Sequence, residues 1–294
     1  MTTVSEIDFD TDSSYVQYLD KGFVGLVDTM GTDESIVQAA RVSYGEGTKG
    51  VRNDEALIRY LIRHRHTSPI EMCDVKFHLK MPIFIMRQFV RHRTASLNEY
   101  SGRYSVMVDE FYIPDDATLK PQSESNKQGR EGTLAPLELE MCRNTIKRIS
   151  KENYKDYVSL LGDNPDDNYN FVDRKGLSRE LARMILPLNN YTEVYWKCNL
   201  HNFFHLIDLR SDSHAQWEIQ ELSKAMYDLV KPRFPLACKA FEDYIMYGVN
   251  LSSSEVNVVK ELIRSVEDSG IDVTDLVEKE IKSPRESKEF LSKF

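Results

Sequence analysis

Cysteine is scarce and scattered in this sequence, with four residues lying far apart at Cys73, Cys142, Cys198 and Cys238. With no CxxC pair, neither a structural zinc site nor a thioredoxin-like motif is expected; the plain reading is free thiols in a reducing, cytoplasmic compartment. No apolar run approaches the roughly 18 residues that span a bilayer, so a membrane is not an expected partner. The acidic, Ser/Thr-rich stretch from Met1 to Asp12 resembles neither a secretory signal nor a transit peptide. Also missing are a glycine-rich dinucleotide fingerprint, a Walker-type phosphate loop, a GxSxG elbow and any internal repeat. A formal net charge of −9 argues against broad nucleic-acid binding, which needs a basic face to neutralise phosphates. A small anionic ligand remains compatible, because a local positive cleft focuses the field against the global sign.

Against this acidic background one stretch stands out. Between Ile83 and Val108 there are four arginines, no lysine and a single acid, Glu99. The planar guanidinium grips phosphate or carboxylate through two parallel hydrogen bonds, where an ammonium offers only a point charge. Ser96, Asn98 and Ser101 add short polar groups, Gly102 permits close backbone approach, and Tyr100 and Tyr104 flank it. These residue types suit a phosphorylated, planar small molecule; a solvated basic turn is the plainer alternative.

The surrounding pattern is that of a mixed α/β protein. Residues 1 to about 20 read as a loosely held leader, followed by a strand at Gly22–Asp28 and a helix opened by Asp33 and Glu34 through Val42. Asn53 caps a second helix ending near His64. The segment His64–Glu71 is a polar loop, and Asp74–Met81 alternates as a half-buried strand with Val75, Phe77, Leu79 and Met81 on one face. Pro82 suits the first position of a helix over Ile83–Val90, on which Arg87 and Arg91 would share a face. The insertion-like stretch near 114–132 offers little to bury and reads as a loop or a partly disordered insertion. Helices are then expected over Leu134–Leu161, from Ser178 to before Pro187, over Leu200–Leu209, from a Ser213 cap to Val230, and over Leu236–Tyr247, with a strand at Asn189–Lys197. One domain over residues 21–250 and a charged helical extension over 251–294, amphipathic from Glu255 to Val266, complete the division.

Several chemistries can be weighed on the residues. His201 and His205 are four apart on a helix with Asp208 beyond, but Asn202 stands where an HExxH glutamate would be, and no metal is expected. Cys198 is conceivable as a nucleophile, although a buried, inert thiol is the commoner state. Asp208 to Gln216 is a polar junction between helices where backbone N–H groups and Arg210 could seat an anion. Tyr195, Trp196 and Trp217 are most simply core or interface aromatics.

Arg91 to Tyr104 matches RHRxxSxNExSxRY at every fixed position, and this resembles the signature of the flavin-dependent thymidylate synthases. The blocks His66–Glu71, Ala182–Asn189 and Leu209–Gln220 are similar to that family's blocks, in its order, and the likeness covers about residues 21 to 250. The resemblance implies a central sheet flanked by helices, a homotetramer with active sites between subunits, and conversion of dUMP to dTMP. Methylenetetrahydrofolate would give the carbon and NADPH the electrons through FAD, with no cysteine nucleophile. It further implies FAD contacts from Ser68, Arg91, His92, Arg93, Glu99, Asn199, His201 and His205. The implied dUMP contacts are Gln88, Phe89, Val90, Arg91, Glu99, Tyr100, Ser101, Gly102, Arg103, Arg183 and Arg210. His66 and Glu71 would line the flavin, and Arg210 would stabilise the ionised uracil imide. A sibling 5-hydroxymethylating flavoenzyme and a nonenzymatic nucleotide- or RNA-binding module are the alternatives.

Overall fold

A computed structural model describes residues 12–42, 53–127, 129–162 and 175–294. The chain divides into two units, Met1–Met246 and Tyr247–Phe294. In order, the first unit holds β1 (Tyr15–Tyr18), β2 (Gly22–Met30), α1 (Asp33–Arg41), α2 (Asp54–Arg63), β3 (Asp74–Pro82), α3 (Ile83–Phe89), β4 (Ser96–Glu99), α4 (Pro136–Leu160), α5 (Arg179–Ala182), β5 (Tyr191–Asn199), α6 (Leu200–Arg210), α7 (Trp217–Val230) and α8 (Pro235–Phe241). The second holds α9 (Ser253–Asp268), α10 (Val273–Glu280) and α11 (Pro284–Leu291). The five strands form one antiparallel sheet in the order β1-β2-β3-β5-β4.

The core lies where β3 meets the helices. Val75, Phe77, Leu79 and Met81 share one face of β3 and are fully buried, with Phe77 stacked on Phe203 of α6 at 5.7 Å. The opposite face departs from the half-buried expectation. His78 and Lys80 are also buried there: His78 stacks on Tyr195 at 4.5 Å, and Lys80 pairs with Glu110 at 2.6 Å. β3 is the middle strand, so aromatic side chains from its neighbours cover its polar face, and a buried charge is tolerated only because it is paired. Asp33 serves as more than a helix-opening acid, because its buried carboxylate accepts from Leu236 N and Ala237 N at the start of α8.

Other expectations are corrected by the structure. Residues 15–18 do not belong to a loosely held leader, because Tyr15–Tyr18 pairs with β2 and Tyr18 is buried, its hydroxyl donating to the Glu218 carbonyl at 2.7 Å; the leader expected over residues 1–11 lies outside the described residues. Arg87 and Arg91 do not share a helical face: α3 stops at Phe89, and Arg91 N donates to Gln88 O as the last turn tightens. Pro82 caps that helix from outside, as the last residue of β3. Gln216, not Ser213, precedes α7. The 114–132 loop is anchored, burying Thr118 and Ser123 and sending Arg130 to Glu218 at 2.9 Å.

In the second unit, Ser252 and Glu255 form a reciprocal capping box at the start of α9, the Ser side chain accepting from the Glu N–H and the Glu side chain from the Ser N–H. Val258 and Leu262 stay exposed on that helix, while Val273 and Val277 of α10 are buried. No helix of the described residues is long and apolar enough to cross a membrane.

Candidate active site

β4 carries the middle of the arginine-rich stretch along the edge of the sheet. It runs antiparallel to β5 with Ser96 opposite Lys197 and Glu99 opposite Val194, and all four of its residues are exposed. At about 3.3 Å per residue, the two ends of this strand stand about 10 Å apart. The register therefore sends Arg91–Arg93 toward the end of β5, where α6 begins, and Glu99–Arg103 toward its start. Asn199 is the last residue of β5 and the N-cap of α6, its side chain accepting from Asn202 N at 2.9 Å.

At the α6 end, Arg210 Nε donates to His92 Nε2 at 2.9 Å, and the His205 ring meets the His92 ring edge-on at 6.1 Å. Burial pushes the His92 pKa down to about 4, reinforced by the Arg210 and His205 charges. His92 is thus neutral at physiological pH and accepts at Nε2, which places its proton on Nδ1 as a donor toward a ligand. Burial also lowers the Arg210 pKa, but a guanidinium stays protonated under any physiological condition. Arg87, Arg91 and Arg93 are exposed and make no ion pair among the described residues. Arg91 and Arg93, on either side of the neutral His92 and without ion-pair partners among the described residues, fit an anionic, diphosphate-bearing cofactor near the start of α6. Ser68 and His66 lie in the loop before the short helical turn Ile70–Met72, which packs against α6; Leu200 N donates to Cys73 O at 2.8 Å. Within that loop the His66 ring stacks on Tyr60 at 5.7 Å, and Thr67 Oγ1 donates to Glu71 at 2.6 Å. His201 sits one turn before His205 on α6, half-buried.

At the other end of β4, Glu99 accepts from Thr192 Oγ1 at 2.9 Å, and Tyr100 N donates to Glu193 O at 2.8 Å. Gly102 is buried and closely packed: a Cβ there would meet Met107 Sδ at 2.9 Å and Arg183 Cδ at 3.1 Å, so those side chains would have to shift. This close packing brings Arg183 against the signature from more than 80 residues away in sequence (about 81 positions). Arg103 faces Glu180 at 3.4 Å. Arg183 itself is exposed, between exposed Leu181 and Met184.

Sequence reasoning missed the buried support of the site. Glu218 is 1% exposed; its carboxylate accepts from Arg130 at 2.9 Å, Tyr112 at 3.3 Å and Gln216 Nε2 at 2.9 Å. Gln216 Oε1 in turn accepts from Gln88 Nε2. The signal was present in the helix period: Glu218, Leu222 and Met226 recur every fourth residue of α7 and are all buried, so the glutamate lies on the core face. Cys198 lies inside β5, buried, and burial pushes its thiol well above the usual range, which leaves it inert as a nucleophile. Among the described residues, no group of three or more His, Cys, Asp or Glu side chains is placed to hold a metal ion.

Comparison with known proteins bears on this arrangement. Residues 25–236 match the family model described as thymidylate synthase complementing protein. A flavin-dependent thymidylate synthase of Rickettsia bellii is 51% identical over 251 residues, covering 84% of this chain and 85% of that protein. Its counterpart in Thermus thermophilus is 51% identical over 248 residues, covering 84% and 86%. Among solved structures, a UMP/dUMP methylase of Streptomyces cacaoi bound with 5-Br UMP superposes with a TM-score of 0.66 at 29% identity. It covers 80% of this chain and all of that one (100%).

Proposed function

The chain belongs to the thymidylate synthase complementing protein family, and we propose that it is a flavin-dependent thymidylate synthase, converting dUMP to dTMP. Methylenetetrahydrofolate gives the carbon and NADPH the two electrons; the C5 proton of the uracil is lost as the methyl group replaces it. The observation that carries this reading is the Arg210–His92 contact, which holds a guanidinium beside the signature through a neutral partner that does not offset its charge. A guanidinium so placed lowers the energy of an ionised uracil imide and raises electron density at C5. Bound FAD supplies the hydride chemistry. The protein's own task is to bind and orient: Arg91, His92, Arg93, Ser68, Glu99, Asn199, His201 and His205 hold the cofactor. Gln88, Val90, Arg91, Glu99–Arg103, Arg183 and Arg210 hold the nucleotide, whereas Phe89, expected to touch it, is fully buried against Trp196 and packs in the core instead. Glu99 belongs to both sets and sits at the β4 end nearest Gly102.

Exposed apolar side chains support a homotetramer whose sites are completed between subunits. Leu137 and Met141 of α4, and Leu181, Met184 and Leu188 around Arg183, are all more than half exposed in one protomer. Buried free thiols at Cys73, Cys198 and Cys238 accord with a reducing cytoplasm. Relatives at about half identity are thymidylate synthases, whereas the UMP/dUMP methylase stands at 29%, which favours the deoxynucleotide. The test is to purify the protein, record its flavin absorbance, and weigh the product formed from dUMP, methylenetetrahydrofolate and NADPH, with UMP run in parallel. A product heavier than dUMP by one methylene group is expected. An additional oxygen identifies the hydroxymethyl reaction instead, and a colourless protein without turnover defeats both.

A further inference from the structure

We propose that Glu218 is a positioning residue that sets the polarity of the Gln88 amide at the nucleotide. The inference rests on the reading of Gln88 as a dUMP contact. The two ends of a glutamine amide have nearly the same shape, so only their hydrogen-bond partners select which end faces a ligand. Here the selection begins at an acceptor-only group. Arg130 and Tyr112 donate to the buried Glu218 carboxylate, and burial together with that carboxylate holds the Tyr112 phenol protonated as a donor. Gln216 must therefore turn its Nε2 inward, at 2.9 Å from Glu218 Oε2, which leaves its Oε1 pointing outward. Gln88 must in turn bring its Nε2 to that oxygen. The Oε1 of Gln88 is left as the acceptor presented to the substrate. One buried charge thus orients two amides in series and makes the site select a hydrogen-bond donor on the nucleotide. The relay is also tied to the 114–132 loop through Arg130 and to β1 through Tyr18, whose hydroxyl donates to the Glu218 carbonyl.

Glu218→Gln keeps the shape but replaces one acceptor by a donor, so both downstream amides can reverse. Its expected effect is a rise of about fivefold to tenfold in KM for dUMP, the scale of one lost hydrogen bond, with kcat and flavin content within about twofold of wild type. The decisive measurement is a double-mutant cycle with Gln88→Ala. In that background Glu218→Gln should leave KM unchanged, because the amide it orients is gone. An equal rise in KM with and without the Gln88 side chain means a general packing role and overturns the relay. Should Glu218→Gln fail to fold, Gln216→Met breaks the chain one link closer to the site while Glu218 keeps Arg130 and Tyr112, and the same cycle is read. A wild-type enzyme that shows no saturation with dUMP overturns the functional reading and the relay together; saturation with an additive cycle overturns the relay alone.

Discussion

β4 and α7 both bear on the candidate site, β4 through the signature it carries and α7 through its Gln216 cap and that residue's hydrogen bond to Gln88, and they are built from opposite materials. All four residues of β4 are exposed, and the arginines before it carry charge that nothing in the described chain neutralises. α7 hides a carboxylate at 1% exposure and surrounds it with donors. The contrast separates two tasks. Charge meant for a ligand has to stay unpaired and wet until the ligand arrives, whereas charge meant to orient a neighbour has to be desolvated and fully paired, since low dielectric strengthens its hold. Arg210 is intermediate in exposure, half-buried and held through one neutral histidine.

The largest expected effect falls on that intermediate residue. Arg210→Ala should lower kcat by about 10²–10³-fold, as loss of one oriented charge stabiliser does, with an unchanged melting temperature; near-normal turnover would remove its assigned role. Glu218→Ala tests the buried side: it strands Arg130, Tyr112 and Gln216, and should cost about 3 kcal/mol in denaturant unfolding. Arg91→Ala tests the wet side, where binding should weaken about tenfold with no loss of stability, and the deficit should shrink as salt is raised. If Arg91→Ala instead unfolds the protein, the division of tasks is wrong.

Acidity gives a subtler probe. The His92 pKa is pushed down from 6.5 to about 4, so in that window the unfolded chain binds more protons than the folded one. The stability that neutral His92 contributes is therefore full above about pH 6.5 and is lost as pH falls through about 4. A melting-temperature profile of His92→Asn should fall less steeply over this range than that of wild type. The smallest effect belongs to Cys198→Ala, which should keep turnover within about twofold; a folded but inactive variant would revive a thiol mechanism.

The helices and strands most legible in the sequence were those with a period or a cap to read. Asn53 before an amphipathic run located α2, and the alternation of Val75, Phe77, Leu79 and Met81 located β3. β1 and β4 escaped because strands of four residues give too short a period; β4 in addition faces solvent on both sides, so nothing alternates. The residues of the signature were visible as an arginine cluster, and their likeness to a family supplied ligands. Their support was legible only in part: the spacing of Glu218 with Leu222 and Met226 puts it on the core face of α7, but its place in the first turn also suits an acid complementing a helix end, and its partner Arg130 lies in a polar loop. Which partner a long-range side chain finds is decided by packing, and that is not written locally.

Asn199 closes one strand and opens one helix, with no residue between the two functions. That economy restricts how the chain can change length. One residue inserted into β5 would turn every following side chain to the other face of the sheet and shift the partners of β4. It would also rotate α6 by about 100°, carrying His205 and Arg210 away from His92. The 114–132 loop crosses no such junction, so length variation among related chains is expected to collect there, with β5 and the first turns of α6 held at constant length.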